Sequence, residues 1–194
     1  MKTIDYYNKY ADEFTVSTFK VDMESLYQPF LAELQEGTRI LDVGCGSGRD
    51  TLAFKNKGYQ VDAIDYSEEL VKKVTRLTGI PIKLQSFYEI DDYEAYDGIW
   101  ACASLLHCER NHLKEVIGKL VSALKPNGVL YMSFKHGKGD REKDGRQFTD
   151  LNEAQAEFLL NHFEGITQTK QWLTVDQRPD RQEKWLNLLW KKHV

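Results

Sequence analysis

Three glycines at alternate positions, Gly44, Gly46 and Gly48, follow the apolar run Ile40-Leu41-Asp42-Val43, with Cys45 and Ser47 between them. Glycine at such spacing admits left-handed backbone and omits the Cβ atoms that would hold a ligand away. A helix-like segment closed by Gly58 comes next, and the free N–H groups of its first turn point at whatever the glycines receive. The stretch therefore reads as strand, tight turn and helix start forming a ligand cradle. A second acid, Asp65, ends the run Gln60-Val61-Asp62-Ala63-Ile64, 23 residues beyond Asp42. At the end of the second strand of a nucleotide-binding α/β sheet, a carboxylate offers two oxygens to two vicinal ribose hydroxyls. The alternative role for Asp65 is a helix N-cap, although Ser67, with Glu68 and Glu69 behind it, fits that position better.

The nature of the ligand turns on spacing. A dinucleotide cradle is written G-x-G-x-x-G, and the third glycine it requires falls here on Arg49. The pattern present, Asp42-x-Gly44-x-Gly46-x-Gly48, resembles the first motif of class I S-adenosylmethionine-dependent methyltransferases. Tyr96-Asp97-Gly98-Ile99 resembles the second motif of that family. Leu124-Lys125-Pro126-Asn127-Gly128-Val129-Leu130 resembles the third, a helix-to-strand turn before the fifth strand. The matches run in order over residues 38–134. The resemblance implies S-adenosylmethionine as cofactor, S-adenosylhomocysteine as product and no metal. It implies cofactor contacts from Asp42, Gly44, Cys45, Gly46, Gly48, Asp65, Tyr66, Ser86, Phe87 and Ala101. Many members carry an acid near Ser86 to hold the adenine amino group; here a serine hydroxyl takes that place, and Phe87 or Tyr88 is available to stack on the ring. Within the family the resemblance is to small bacterial-type enzymes acting on small molecules, of the tellurite-resistance type or similar.

The elements that must position these residues follow from composition and periodicity. The chain has 194 residues and a formal net charge of −4, which suits one domain with one sizeable core and gives no clustered basic surface for nucleic acid. No apolar run approaches the ~20 residues of a membrane span, and the polar Met1-Lys2-Thr3-Ile4-Asp5 start lacks a signal-peptide core. Cys45, Cys102 and Cys108 form no C-x-x-C pair, which points to reduced thiols in the cytoplasm. A single domain over 1–194 is expected, with an N-terminal segment (1–37), a cofactor-binding core (38–134) and substrate-side loops and strands (135–194). The fold that the resemblance implies is α/β: a doubly wound, Rossmann-like sheet of seven strands, mostly parallel with the last antiparallel, and helices on both faces. Tyr6, Tyr7, Tyr10 and Phe14 lie in a stretch without clear period. It reads as a surface arm packing its rings on the domain, or, by the resemblance, as a lid over the cofactor. A helix is expected from Asp22 to Gly37 with Leu26, Phe30, Leu31 and Leu34 on one face, and another over Leu113–Leu124. Lys135 to Asp150 reads as a long polar loop, and Asp150-Leu151-Asn152-Glu153 as a capping box opening a helix.

Ligands bind outside the carboxyl ends of strands in open α/β sheets, so the loops after Phe134 and Val175 open on the edge that carries the cradle. They bring Lys135, His136, Arg146, Arg178 and Arg181 toward one mouth, together with Asp140, Glu142, Asp144, Asp176 and Asp180. Such mixed charge is either solvated loop or a site for an anionic acceptor. His107, after the fourth strand, stands where the family's loop faces the transferred methyl group. His107, His136 and Arg146 are the candidate catalytic residues. Cys102-Ala103-Ser104-Leu105 occupies the place of the Pro-Pro-Tyr segments found in many nucleic-acid and protein methyltransferases, which favours a small-molecule acceptor. The expected function is methyl transfer to such an acceptor by in-line displacement. The alternatives are a non-catalytic module that binds S-adenosylmethionine or S-adenosylhomocysteine, and a nicotinamide-dependent oxidoreductase.

Overall fold

The computed structural model describes residues 2–193. Its helices are α1 (Thr3–Lys9), α2 (Ala11–Thr18), α3 (Glu24–Leu31), α4 (Arg49–Asn56), α5 (Glu68–Thr78), α6 (Arg110–Ala123) and α7 (Glu153–Leu160). Its strands are β1 (Arg39–Val43), β2 (Gln60–Asp65), β3 (Lys83–Leu84), β4 (Tyr96–Ala101), β5 (Leu124–Lys135), β6 (Asp140–Lys143), β7 (Arg146–Thr149), β8 (Ile166–Val175) and β9 (Lys184–Lys192). Seven of them form one sheet in the order β3-β2-β1-β4-β5-β9-β8. β9 runs antiparallel to both neighbours, and the other pairs are parallel. This is the doubly wound sheet that the motifs implied.

Strand residues alternate between two buried faces, which is why Ile40–Val43 of β1, Ile99–Ala101 of β4 and Val129–Phe134 of β5 are apolar on both sides apart from Asp42 and Ser133. Leu41, Ile99, Leu130 and Met132 face one way, where Val116, Ile117 and Leu120 of α6 cover them. Ile40, Trp100, Val129 and Tyr131 face the other way, against Phe30 of α3 and Phe54 of α4. Trp100 stacks on Tyr131 with ring centroids 3.9 Å apart. The reversal of coverage across β1 opens a crevice at the carboxyl ends of β1 and β4.

The structure refines some local expectations and corrects others. The N-terminal stretch packs on the body as two short helices, α1 and α2: Asp12 pairs with Lys73, and Asn8 Oδ1 accepts from Ser67 Oγ at 2.8 Å. The helix after Asp22 begins at Glu24, whose N–H donates to Asp22 Oδ1, and ends at Leu31 instead of reaching Gly37. Residues 140–149 are a β-hairpin, β6–β7, turning at Asp144 and Gly145 with φ of 55° and 76°. Two successive left-handed residues are what a two-residue hairpin loop demands, and Asp-Gly is a preferred pair for it. In α7 the cap is Asn152, which exchanges hydrogen bonds with Gln155; Asp150 lies before it.

Gly48 shows how tightly the first turn is built. It has φ 76°, and an added Cβ would lie 2.3 Å from Val74 Cγ1 on α5. Gly48→Ala is expected to destabilise the fold by at least the ~1–3 kcal/mol of core overpacking, read as a lower urea midpoint at unchanged slope. A midpoint equal to wild type would mean that α5 can retreat at no cost.

Candidate active site

The three cradle glycines all have positive φ, but they serve different neighbours. A Cβ on Gly44 would meet Ser104 Cβ at 2.6 Å, and one on Gly48 would meet Val74. These two glycines let the β4 loop and α5 approach the turn. Gly46 faces the crevice, where its Cβ would press only on the Phe14 ring, at 3.0 Å, with the Gly44 carbonyl oxygen at an ordinary 4.0 Å. Its N–H donates to Asp65 Oδ2 at 2.8 Å, while Asp65 Oδ1 accepts from Ser67 N–H at 2.8 Å. Ser67 is the N-cap of α5, accepting from Leu70 N–H. Asp65 thus ties the glycine turn to the end of β2. Burial pushes its carboxyl up to about 6 against these two stabilising N–H donors.

Two cavities meet at this turn. The larger, about 740 Å³, runs past Asp65, Tyr66, Ser86 and Phe87. That volume lies within the roughly 300–1,000 Å³ of small-molecule and cofactor sites. The smaller, about 170 Å³, includes Cys45, Arg49, Asp50, Cys102, Ser133 and Asn187 in its wall. Their common rim is Tyr7, Phe14, Gly44, Gly46, Ala103 and His107. Ala103 has φ 52°, a costly conformation for a residue with a side chain, and its N–H donates to Ser133 Oγ at 2.8 Å. Ser104 Oγ, at the wall of the larger cavity, is buried and has no hydrogen-bond partner among the described residues.

His107 is fixed on both sides. Its Nδ1 lies 2.7 Å from the Gln147 carbonyl, which can only accept, so Nδ1 carries the proton. Nε2 then accepts from Tyr7 Oη at 2.8 Å. Burial lowers the imidazole to about 4 and keeps it neutral at physiological pH. Arg146, at the start of β7, lines the smaller cavity with its guanidinium 4.0 Å from the Tyr6 ring centroid.

Four expected site residues line neither cavity. His136 pairs its Nε2 with Glu153 at 3.0 Å, because the bridge between His136 and Leu151 turns it toward α7. Asp42 is 2 % exposed and accepts from Thr51 Oγ1 at 2.6 Å, bracing α4 against β1; burial beside Asp50 raises its pKa. Gly48 packs on α5, and Ala101 is enclosed within β4.

Sequence reasoning did not single out Asp50. Its carboxylate accepts from Tyr27 Oη at 2.5 Å, Arg49 Nε at 2.6 Å, Trp100 Nε1 at 2.9 Å and Arg49 Nη2 at 3.0 Å. Two of those donors, Tyr27 and Trp100, lie in other elements, so no local spacing announces the cluster. Lys143, Ser133 and Asn187 also join the smaller cavity from separate strands. No helix among the described residues is long and apolar enough to cross a membrane, and no group of three or more His, Cys, Asp and Glu among them could hold a metal.

Residues 40–128 match the family model described as a methyltransferase domain. A ubiquinone biosynthesis O-methyltransferase from Xanthomonas campestris is 36% identical over 105 residues, covering 50% of this chain and 43% of that protein. The chain therefore spans less than half the length of the curated relatives it matches. Among solved structures, the Burkholderia thailandensis 1,6-didemethyltoxoflavin-N1-methyltransferase, determined with 1,6-didemethyltoxoflavin and S-adenosylhomocysteine, superposes with a TM-score of 0.79 at 21% identity, covering 98% of this chain and 85% of that one. The [4+2]-cyclase SpnF superposes at 0.76 and 16% identity, covering 100% and 97%, so the fold is also that of a protein named for another reaction. The sheet order, the glycine turn and the sequence match agree: residues 40–128, just under half of the chain, are similar to a methyltransferase domain, on a fold shared with solved S-adenosylmethionine-dependent methyltransferases.

Proposed function

We propose that the chain transfers the methyl group of S-adenosylmethionine to a small-molecule acceptor, with the cofactor in the larger cavity and the acceptor in the smaller. The observation that carries this reading is the shared rim. Two cavities of different size share one set of lining residues, Tyr7, Phe14, Gly44, Gly46, Ala103 and His107. An electrophile held on one side and a nucleophile on the other would meet there. The residues fit the cofactor. Asp65 has acceptor capacity beyond its two backbone bonds, Ser104 Oγ is an orphaned hydroxyl, and Gly46 leaves the turn open where a side chain would close it. Ser86 and Phe87 would flank the adenine, and Tyr66 the ribose edge. The bound cofactor supplies an activated methyl group; the chain supplies orientation and exclusion of water. Tyr7 and His107 close the rim as a neutral hydrogen-bonded pair that orients the acceptor; burial, which lowers His107 to about 4, leaves the imidazole a weak base. The small volume of the acceptor side favours a metabolite over a macromolecule, and the reaction as read needs no metal. A cytoplasmic protein acting as one domain is part of the same reading.

Incubation with S-adenosylmethionine and a pool of small metabolites tests it, by following S-adenosylhomocysteine release. Turnover above a no-acceptor control is expected. Tight cofactor binding with no turnover on any pool would favour the non-catalytic module.

Asp65 provides a second test with a pH signature. Asp65→Asn keeps an oxygen for one backbone N–H but removes the charge, so S-adenosylhomocysteine affinity should fall by ~1.5–3 kcal/mol. In the wild type, the native carboxyl titrates near 6 and the unfolded one near its ordinary ~3.9. The native state therefore holds more protons in that interval, and the Asp65 contribution to stability falls as pH rises from about 4 to 6. Affinity should move the opposite way, strengthening as the carboxylate ionises. Affinity flat across pH 5–7, alongside an unaffected Asn variant, would assign Asp65 to the fold alone.

A further inference from the structure

The smaller cavity has a charge pattern that selects its occupant. Six cationic side chains line it: Arg49, Lys135, Lys143, Arg146, Arg178 and Arg181. Three are neutralised by acids beside them. Arg49 is paired with Asp50 at 2.6 Å, Arg178 with Asp176 at 2.5 Å, and Lys135 with Glu183 at 2.7 Å. Lys143 and Arg181 form no ion pair among the described residues. Arg146 differs from both groups. Its side chain is 16% exposed, and its one acid, Asp144, reaches a single terminal nitrogen at 3.2 Å from a side chain that is 59% exposed. Arg146 Nε is buried and has no acceptor among the described residues.

A guanidinium held this far out of water with an N–H unused is expensive unless something else satisfies it. Aromatic rings lie beside it: the Tyr6 ring centroid is 4.0 Å from the guanidinium carbon and that of Phe148 5.3 Å. A planar fork between aromatic walls suits a planar anion that can take two parallel N–H bonds, which is carboxylate geometry. We propose that the acceptor of the smaller cavity is a carboxylate-bearing small molecule whose anion is bound by Arg146. Arg178, which shares that mouth in sequence, serves instead to hold Asp176 and the β8–β9 end. The assignment rests on the methyltransferase reading only for the word acceptor; the anion slot itself belongs to the residues described.

Benzoate and its neutral isostere benzamide test the slot directly. Full-length protein, with and without S-adenosylhomocysteine, is titrated with each and followed by backbone amide chemical shifts. Benzoate is expected to shift the amides of residues 145–148 and Tyr7, with benzamide roughly ten- to a hundredfold weaker. Arg146→Gln should bring benzoate down to the benzamide level, and Arg146→Lys should recover part of the difference. Equal binding of the two probes by the wild type, or no binding of benzoate at tens of millimolar, overturns the proposal and needs no variant to fold. Benzoate affinity unchanged in Arg146→Gln overturns it as well. S-adenosylhomocysteine affinity, measured on the same samples, keeps the two readings apart: its absence defeats the methyltransferase reading, while its presence beside indifference to benzoate defeats only the anion slot.

Discussion

Asp50→Ala should cost about 3–5 kcal/mol of stability, the range for removing one partner of a buried ion pair. The carboxylate collects four donor bonds from Arg49, Tyr27 and Trp100; burial pushes its pKa up, but the Arg49 charge and these bonds outweigh it and hold the pKa down. Without it the Arg49 guanidinium loses its counter-ion while 19% exposed, and the Tyr27 hydroxyl and Trp100 indole lose their acceptor inside a core of aromatic rings. Asp50→Asn should cost less, since an amide oxygen still accepts from one or two of those donors. Urea unfolding reads both variants. A loss under ~1 kcal/mol for Asp50→Ala would show that water reaches Arg49 through the smaller cavity and screens it as a surface charge.

Gly46→Val should abolish S-adenosylhomocysteine binding, a loss of at least ~100-fold, or about 2.7 kcal/mol and more. Gly46 has φ 55°, a region where a β-branched residue is a genuine outlier. Its N–H must also stay aimed at Asp65, and its open face is the one directed at the shared rim. Gly46→Ala should lie between, because Phe14 is a movable ring. Calorimetry on protein verified as folded by circular dichroism measures the effect. Wild-type affinity in Gly46→Val would place the cofactor away from the turn.

The parts of this molecule legible in its sequence are those where one local rule acts. The apolar runs within β1, β4, β5 and the end of β2 are buried on both faces, so they stand out as strands, and the three left-handed positions of the cradle carry glycine. Asp65 could be placed because it ends such a run. Asp42 carried the same acid chemistry, yet alternation along β1 puts it on the Ile40 side, facing α4, where Thr51 engages it. Motif resemblance named the residue and the pleat decided its direction. The β6–β7 hairpin was hidden because Asp140–Lys143 is polar throughout and largely exposed, leaving only Asp144-Gly145 as a signal. The charged mouth was legible as a set of residues but not as pairs. That Arg178 is spent on Asp176 while Arg146 is not depends on β8, β9 and the hairpin coming together across the fold.

The central claim is that the cradle and Asp65 together hold S-adenosylmethionine. Isothermal calorimetry with S-adenosylhomocysteine and with NAD, on the wild type at pH 7.5 or above, where the Asp65 carboxyl near 6 is ionised, tests it most directly. Saturable one-to-one binding of S-adenosylhomocysteine is expected, with no heat from NAD at the same concentrations. Saturable binding of NAD with no response to S-adenosylhomocysteine would contradict the account.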